Sequence, residues 1–229
     1  MLAPTDFFDL DGYEHKALLF DDRVEYVWDA LKLLGNYLDQ MIVPEIHGQV
    51  MEGAFILDDK IYIGPGSEVE PGAVIKGPTY IGANTQVRQG AYVRGYVLVG
   101  DNCVVGHSTE IKNSIMLNRA HAAHFAYVGD CILGNYVNLG AGSRLANLKF
   151  DRTNVIITIA ERIYDTGMRK LGAILGDRVE IGCNAVSNPG TLMGPGSMAY
   201  ALTLLRGFYP ANSLIKRASE VPSVLIFDS

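Results

Sequence analysis

A chain of 229 residues can bury one substantial core, and 48% hydrophobic against 19% charged residues marks it as ordered and globular. A net charge of -6 without long Lys/Arg runs argues against nucleic acid or an anionic membrane surface as the main partner, and no apolar run approaches a membrane span. The start, Met1 to Asp11, carries three aspartates and no charged-then-apolar leader, and Cys103, Cys131 and Cys183 form neither a CxxC pair nor an even disulfide framework, so a reducing cytoplasm is expected.

Taken in chain order, the first element is a helix. From Asp21 to Ile42, the apolar residues Val24, Val27, Trp28, Leu31, Leu34, Leu38 and Met41 recur at three- and four-residue steps, which predicts an amphipathic helix with a possible break at Gly35. Residues 1–52 are expected to act as a helical cap over the open first coil of the repeat region beyond them.

From Ile63 the period changes to six. Ile63, Val69, Ile75, Ile81, Val87, Val93, Val99, Val105, Ile111 and Leu117 are all aliphatic, and all but the last are β-branched. Four residues after each, starting at Ser67, the positions are nearly all small: Ala73, Thr79, Thr85, Ala91, Val97, Cys103, Thr109. A branched residue pointing inward and a small residue at a tight corner, repeated, describe a parallel β-helix with neighbouring coils about 4.8 Å apart. A period of six cannot be a helix of 3.6 residues per turn. The phase slips between Asn118 and Tyr127, resumes at Leu133, Leu139 and Leu145, breaks again from about Asn147 to Gly172, and returns at Leu175, Ile181 and Met193. The expected β-helix thus covers 53–205 with loop insertions near 118–127 and 147–172, and 206–229 reads as a tail. Ser187 and Ala199 fall where the ladder wants aliphatics, so the final coils are expected to be irregular.

At the interruptions the sequence becomes specific. GHSTEIK (Gly106 to Lys112), HFAYVGD (His124 to Asp130) and YVNLGAGS (Tyr136 to Ser143) resemble the left-handed β-helix acetyltransferase domains that end bifunctional sugar-1-phosphate uridylyl/acetyltransferases. The run DTGMRKLGAILGD, Asp165 to Asp177, resembles the archaeal-type members in particular. The resemblance implies an all-β, left-handed parallel β-helix of hexapeptide repeats assembled as a homotrimer with active sites between subunits. It implies acetyl-CoA as co-substrate and an amino-sugar phosphate like glucosamine-1-phosphate as acceptor. The glycine-rich nucleotide loop of the family's other domain has no counterpart in Met1 to Gly53, so no nucleotidyltransferase activity is expected.

Carried over position by position, the resemblance makes His124 the general base and Tyr127, Asn138 and Asn147 contacts to the sugar and acyl group. Arg94 and Lys112 match the phosphate-binding residues. They are eighteen residues apart, and the eighteen residues per turn that the resemblance implies would stack them on adjacent coils, an arrangement that costs energy unless an anion joins them. Ala141, Cys183 and Ala201 match the coenzyme groove. One stretch departs from the pattern: after Asn147 the chain reads LKFDRTN, with Thr153 near the position of an expected lysine, for which Lys149, Arg152 or Lys170 are candidate substitutes. Two alternatives compete. The chain is a β-helical binding or assembly module with a decayed site, or a trimeric metalloenzyme like γ-type carbonic anhydrases, using His107, His121 and His124. Their spacing does not match that family's, so no metal site is expected.

Overall fold

The computed structural model describes residues 2–216. Strands of two to four residues pair in parallel into three long sheets of nine, nine and eight strands, wound as one left-handed parallel β-helix. Each coil contributes one strand to each sheet. Coil four, for example, runs through Val97–Val99 in the first sheet, Val104–His107 in the second and Glu110–Lys112 in the third. Inside, Ile63, Ile81, Val99, Met116, Leu133, Leu175 and Met193 stack in register and are fully buried. Each such side chain contributes roughly 1.5–3 kcal/mol by leaving water. The small residues bridge coils as well as fitting the corner: the Ser67 hydroxyl donates to Gly82 O and accepts from Thr85 N, and the Thr85 hydroxyl then bridges to Gly100 O and Cys103 N. Ser187 and Ala199 keep their inward register against Leu145 and Ile181.

Four expectations are corrected. The segment near 118–127 is not an insertion: His121–His124 pairs with Val104–His107 on one side, and His121 and Ala122 pair with Asn138 and Leu139 on the other. The phase slips because the turns from Ile111 to Met116 and from Val128 to Leu133 are each one residue short, so Met116 and not Leu117 holds the inward position. Between Leu145 and Ala173 the chain leaves the ladder. Within that stretch Ile156–Ile159 and Arg162–Asp165 form an antiparallel hairpin, closed at its base by a bridge between Leu148 and Lys170.

The N-terminal region does not cap the first coil. The outward positions of the first sheet, Tyr80, Leu98, Ile115, Ile132, Ile174 and Leu192, are buried in one cluster with Phe7, Leu19, Trp28, Leu31, Leu34 and Leu38. The segment 2–42, including the helix Asp29–Met41, therefore lies along the side of the solenoid. Polar anchors fix it at several coils: Asn135 donates to Asp9 O, Asp177 N to Phe7 O, Tyr80 to Glu14, and Lys60 pairs with Asp39. The hairpin joins the same face through Tyr164, which packs edge-on against Tyr26 and Trp28. The β-helix itself starts earlier than expected, at Glu45–Ile46, and continues into the expected tail, where Phe208–Tyr209 and Leu214–Ile215 pair with the coil below. Residues 217–229 of that tail lie outside the described residues. No described helix is long and apolar enough to cross a membrane.

Candidate active site

The coil period determines which side chains meet. Where the second sheet turns toward the third, backbone hydrogen bonds link one position of each coil to the next: Phe125 N to His107 O, Gly142 N to His124 O, Asn184 N to Ala141 O and Leu202 N to Cys183 O. His124, Ala141, Cys183 and Ala201 consequently form one column along a single corner. Three coil steps separate its ends, about 14 Å. His124 is exposed and makes no side-chain hydrogen bond among the described residues. Two alanines and an exposed cysteine stand above it in the column.

A second group gathers at the end of the third sheet. Asp130 is buried and accepts from Lys112 at 2.8 Å, from Asn113 at 2.8 Å and from the Asn147 amide. Tyr127 stands beside them over Gly129, where an added Cβ would lie 2.6 Å from the Tyr127 hydroxyl and 2.8 Å from Asn147 Nδ2. Gly129 thus makes room for the cluster. Burial, with the Glu110 and Asp130 carboxylates nearby, pushes the Tyr127 phenol up, keeping it a neutral donor.

Arg94 lies one coil below Lys112 on the same edge, since Val93 pairs with Ile111. The stacked cations do not lack an anion, contrary to the sequence argument. Arg94 pairs with Glu110 at 2.5 Å and Lys112 with Asp130. Asp130 went unassigned in the sequence although it ends the HFAYVGD motif; the one-residue-short turns that bring it beside Asn113 and Lys112 hid the contact. Asn138 is not part of this cluster. It faces outward from the second sheet beside His121, and its amide donates to Glu180 at 3.0 Å. Of the candidate substitutes for the missing lysine, Lys149 is held within its own loop by Thr153, Asn154 and Asp151. The histidines do not converge either, because His107 and His124 share the corner column while His121 faces out of the second sheet.

Comparison with known proteins agrees with the fold. The "Bifunctional protein GlmU" of Methanococcus maripaludis is 34% identical over 212 residues, covering 93% of this chain and 50% of that protein. The "Bifunctional sugar-1-phosphate nucleotidylyltransferase/acetyltransferase" of Sulfurisphaera tokodaii is 29% identical over 204 residues, covering 87% of this chain and 51% of that one. The chain thus spans about half the length of the curated relatives it matches. Among solved structures, the UDP-N-acetylglucosamine acyltransferase of Francisella novicida aligns with a TM-score of 0.52 at 17% identity, over 70% of this chain and 62% of that one, a likeness of fold. The family described as "GMPPB C-terminal domain" matches residues 75–195, more than half of the chain and all of the cluster above, and the chain belongs to that family.

Proposed function

We propose that the chain is an acetyl-CoA-dependent N-acetyltransferase acting on an amino-sugar phosphate such as glucosamine-1-phosphate, working as a homotrimer. The observation that carries this reading is the corner column, in which the free imidazole of His124 begins a track of small residues, Ala141, Cys183 and Ala201. In the reaction the acceptor amine attacks the thioester carbonyl. A C–N bond forms, the C–S bond breaks, the ammonium proton passes to His124, and the thiolate leaves to be protonated in turn. Tyr127 and Asn147 would orient the sugar. Arg94 would bind the phosphate by exchanging its exposed carboxylate partner, since an exposed ion pair contributes little. Lys112, held by buried Asp130, would act mainly by position.

The decayed-module reading keeps one specific support: both candidate phosphate-binding cations already have carboxylate partners. One experiment separates the two. Free thiol release from acetyl-CoA is followed with glucosamine-1-phosphate for the wild type and His124→Ala. The enzyme reading expects release by the wild type and a loss of about 10²–10⁴-fold in the variant, the range for removal of a general base. The melting temperature should not change, because His124 is exposed and unbonded. A fully active variant removes His124 from its role. No release with any amino-sugar phosphate, together with no coenzyme binding at millimolar concentration, leaves the module.

A further inference from the structure

At the corner leading from the first sheet into the second, one backbone position repeats with positive φ in every coil from the second onward. Successive hydrogen bonds mark the column: Asn84 N to Pro65 O, Asn102 N to Ala83 O, Arg119 N to Asp101 O, Tyr136 N to Asn118 O, Arg178 N to Asn135 O, Gly196 N to Asp177 O and Asn212 N to Pro195 O. Glycine and asparagine occupy it wherever the left-handed conformation alone decides, as at Gly66, Asn84, Asn102, Gly196 and Asn212. Three consecutive coils break that rule. Arg119, Tyr136 and Arg178 hold φ of 63°, 60° and 60°, a strained conformation for residues of this size.

These three side chains touch. The Arg178 guanidinium lies 4.5 Å from the Tyr136 ring centre and that of Arg119 5.4 Å, so one exposed ring carries a cation from the coil on each side. Neither arginine has a carboxylate partner among the described residues. They border a hollow of about 520 Å³ whose other walls include His121, Asn138 and Glu180. The Glu180 carboxylate already accepts from the Asn138 amide. Each guanidinium keeps N–H donors beyond its contact with the ring, both border the same hollow, and guanidinium forks match phosphate oxygens.

We propose that Arg119, Tyr136 and Arg178 form a clamp for the phosphoryl group of a phosphorylated polyhydroxy compound. The two guanidiniums take phosphate oxygens, and the Glu180 carboxylate accepts from hydroxyls of the remainder. This site is on a different sheet from the Lys112–Asp130 cluster and does not depend on acyl transfer.

Fluorine NMR of the full chain labelled with fluorotyrosine tests it. Tyr136 and Tyr127 are assigned through Tyr136→Phe and Tyr127→Phe, so the clamp and the Lys112–Asp130 cluster are read separately. The Tyr136 signal should move saturably with inorganic phosphate and more tightly with glucose 1-phosphate, and not with glucose. Arg178→Asn should weaken binding by about tenfold or more, the usual worth of a charge-assisted hydrogen bond. Arg119→Asn with Arg178→Asn should abolish the shift. That double variant should melt no lower than wild type, since asparagine suits the column. A Tyr136 signal unmoved by phosphate, or moved equally in the double variant, overturns the clamp. Equal affinity for inorganic phosphate and glucose 1-phosphate overturns the part assigned to Glu180.

Discussion

Cys183 stands in the corner column between Ala141 and Ala201 with its thiol exposed, whereas Cys103 and Cys131 are buried, and burial pushes both of those thiols up to about 12. Reactivity belongs to an accessible thiolate, so one cysteine of the three should react. Maleimide under native conditions should therefore add a single adduct by mass, and none in Cys183→Ser. If the column is the coenzyme track, acetyl-CoA, whose sulfur is capped against maleimide, should slow the labelling about tenfold at ten times its dissociation constant by simple occupancy. Labelling unaffected by saturating acetyl-CoA would take Cys183 out of the track. The same scale shows what a motif conveys and what it hides. HFAYVGD points to His124 and Tyr127 as candidates because each stands in its own coil position. The value of its last residue, Asp130, depends on partners from two other coils, Lys112 and Asn147, and no linear spacing displays that.

At the scale of elements, the six-residue ladder was legible because inward positions must all be apolar and nothing else in a protein repeats with that period. The helix Asp29–Met41 was legible too, but only as a helix with one buried face. Amphipathicity says that a face is covered and not by what. The sign of its partner lay one residue before the ladder, where Tyr62, Tyr80 and Leu98 are apolar although they point outward, and an end cap would leave such a stripe wet. That docking traps a polar group. His15 is buried against the Tyr80 ring, its Nδ1 is 3.1 Å from the Tyr37 hydroxyl, and its Nε2 has no partner among the described residues. Burial lowers its pKa, with Glu14 and Asp101 pulling weakly the other way. The unfolded chain then binds the proton more tightly than the folded one. The stability His15 contributes is complete above its unfolded value near 6.5 and is lost as the pH falls toward the folded value. Between pH 7.5 and 5.5 the wild type should lose more in melting temperature than His15→Gln, which does not titrate, by up to about 3 °C. Parallel slopes for the two proteins would show that the N-terminal segment stays docked whatever the charge on His15.

Seen whole, the solenoid is a three-sided prism, and its own N-terminal segment and hairpin cover the first sheet. The N-terminal segment leaves the second and third sheets free for the assembly proposed above, and the corner of His124 lies between them. Asn138 faces out of the second sheet, while Tyr127, Lys112 and Asn147 belong to the third-sheet side. Side chains facing outward from two sides of a prism diverge, so one chain does not close both around a single small acceptor. A cyclic assembly does, because the second sheet of one copy then meets the third sheet of the next and each site draws on two chains. If Asn138 serves the acceptor, it serves the one bound at a neighbour's His124. Complementation tests this directly. His124→Ala and Asn138→Ala should each be inactive alone. Refolded together in equal amounts, they should recover about a quarter of wild-type activity, since in a ring with two-chain sites a quarter of the interfaces join an intact His124 to an intact Asn138. A site built within one chain recovers nothing on mixing, and an active Asn138→Ala protein would release the second sheet from any part in acyl transfer and leave it to the clamp alone.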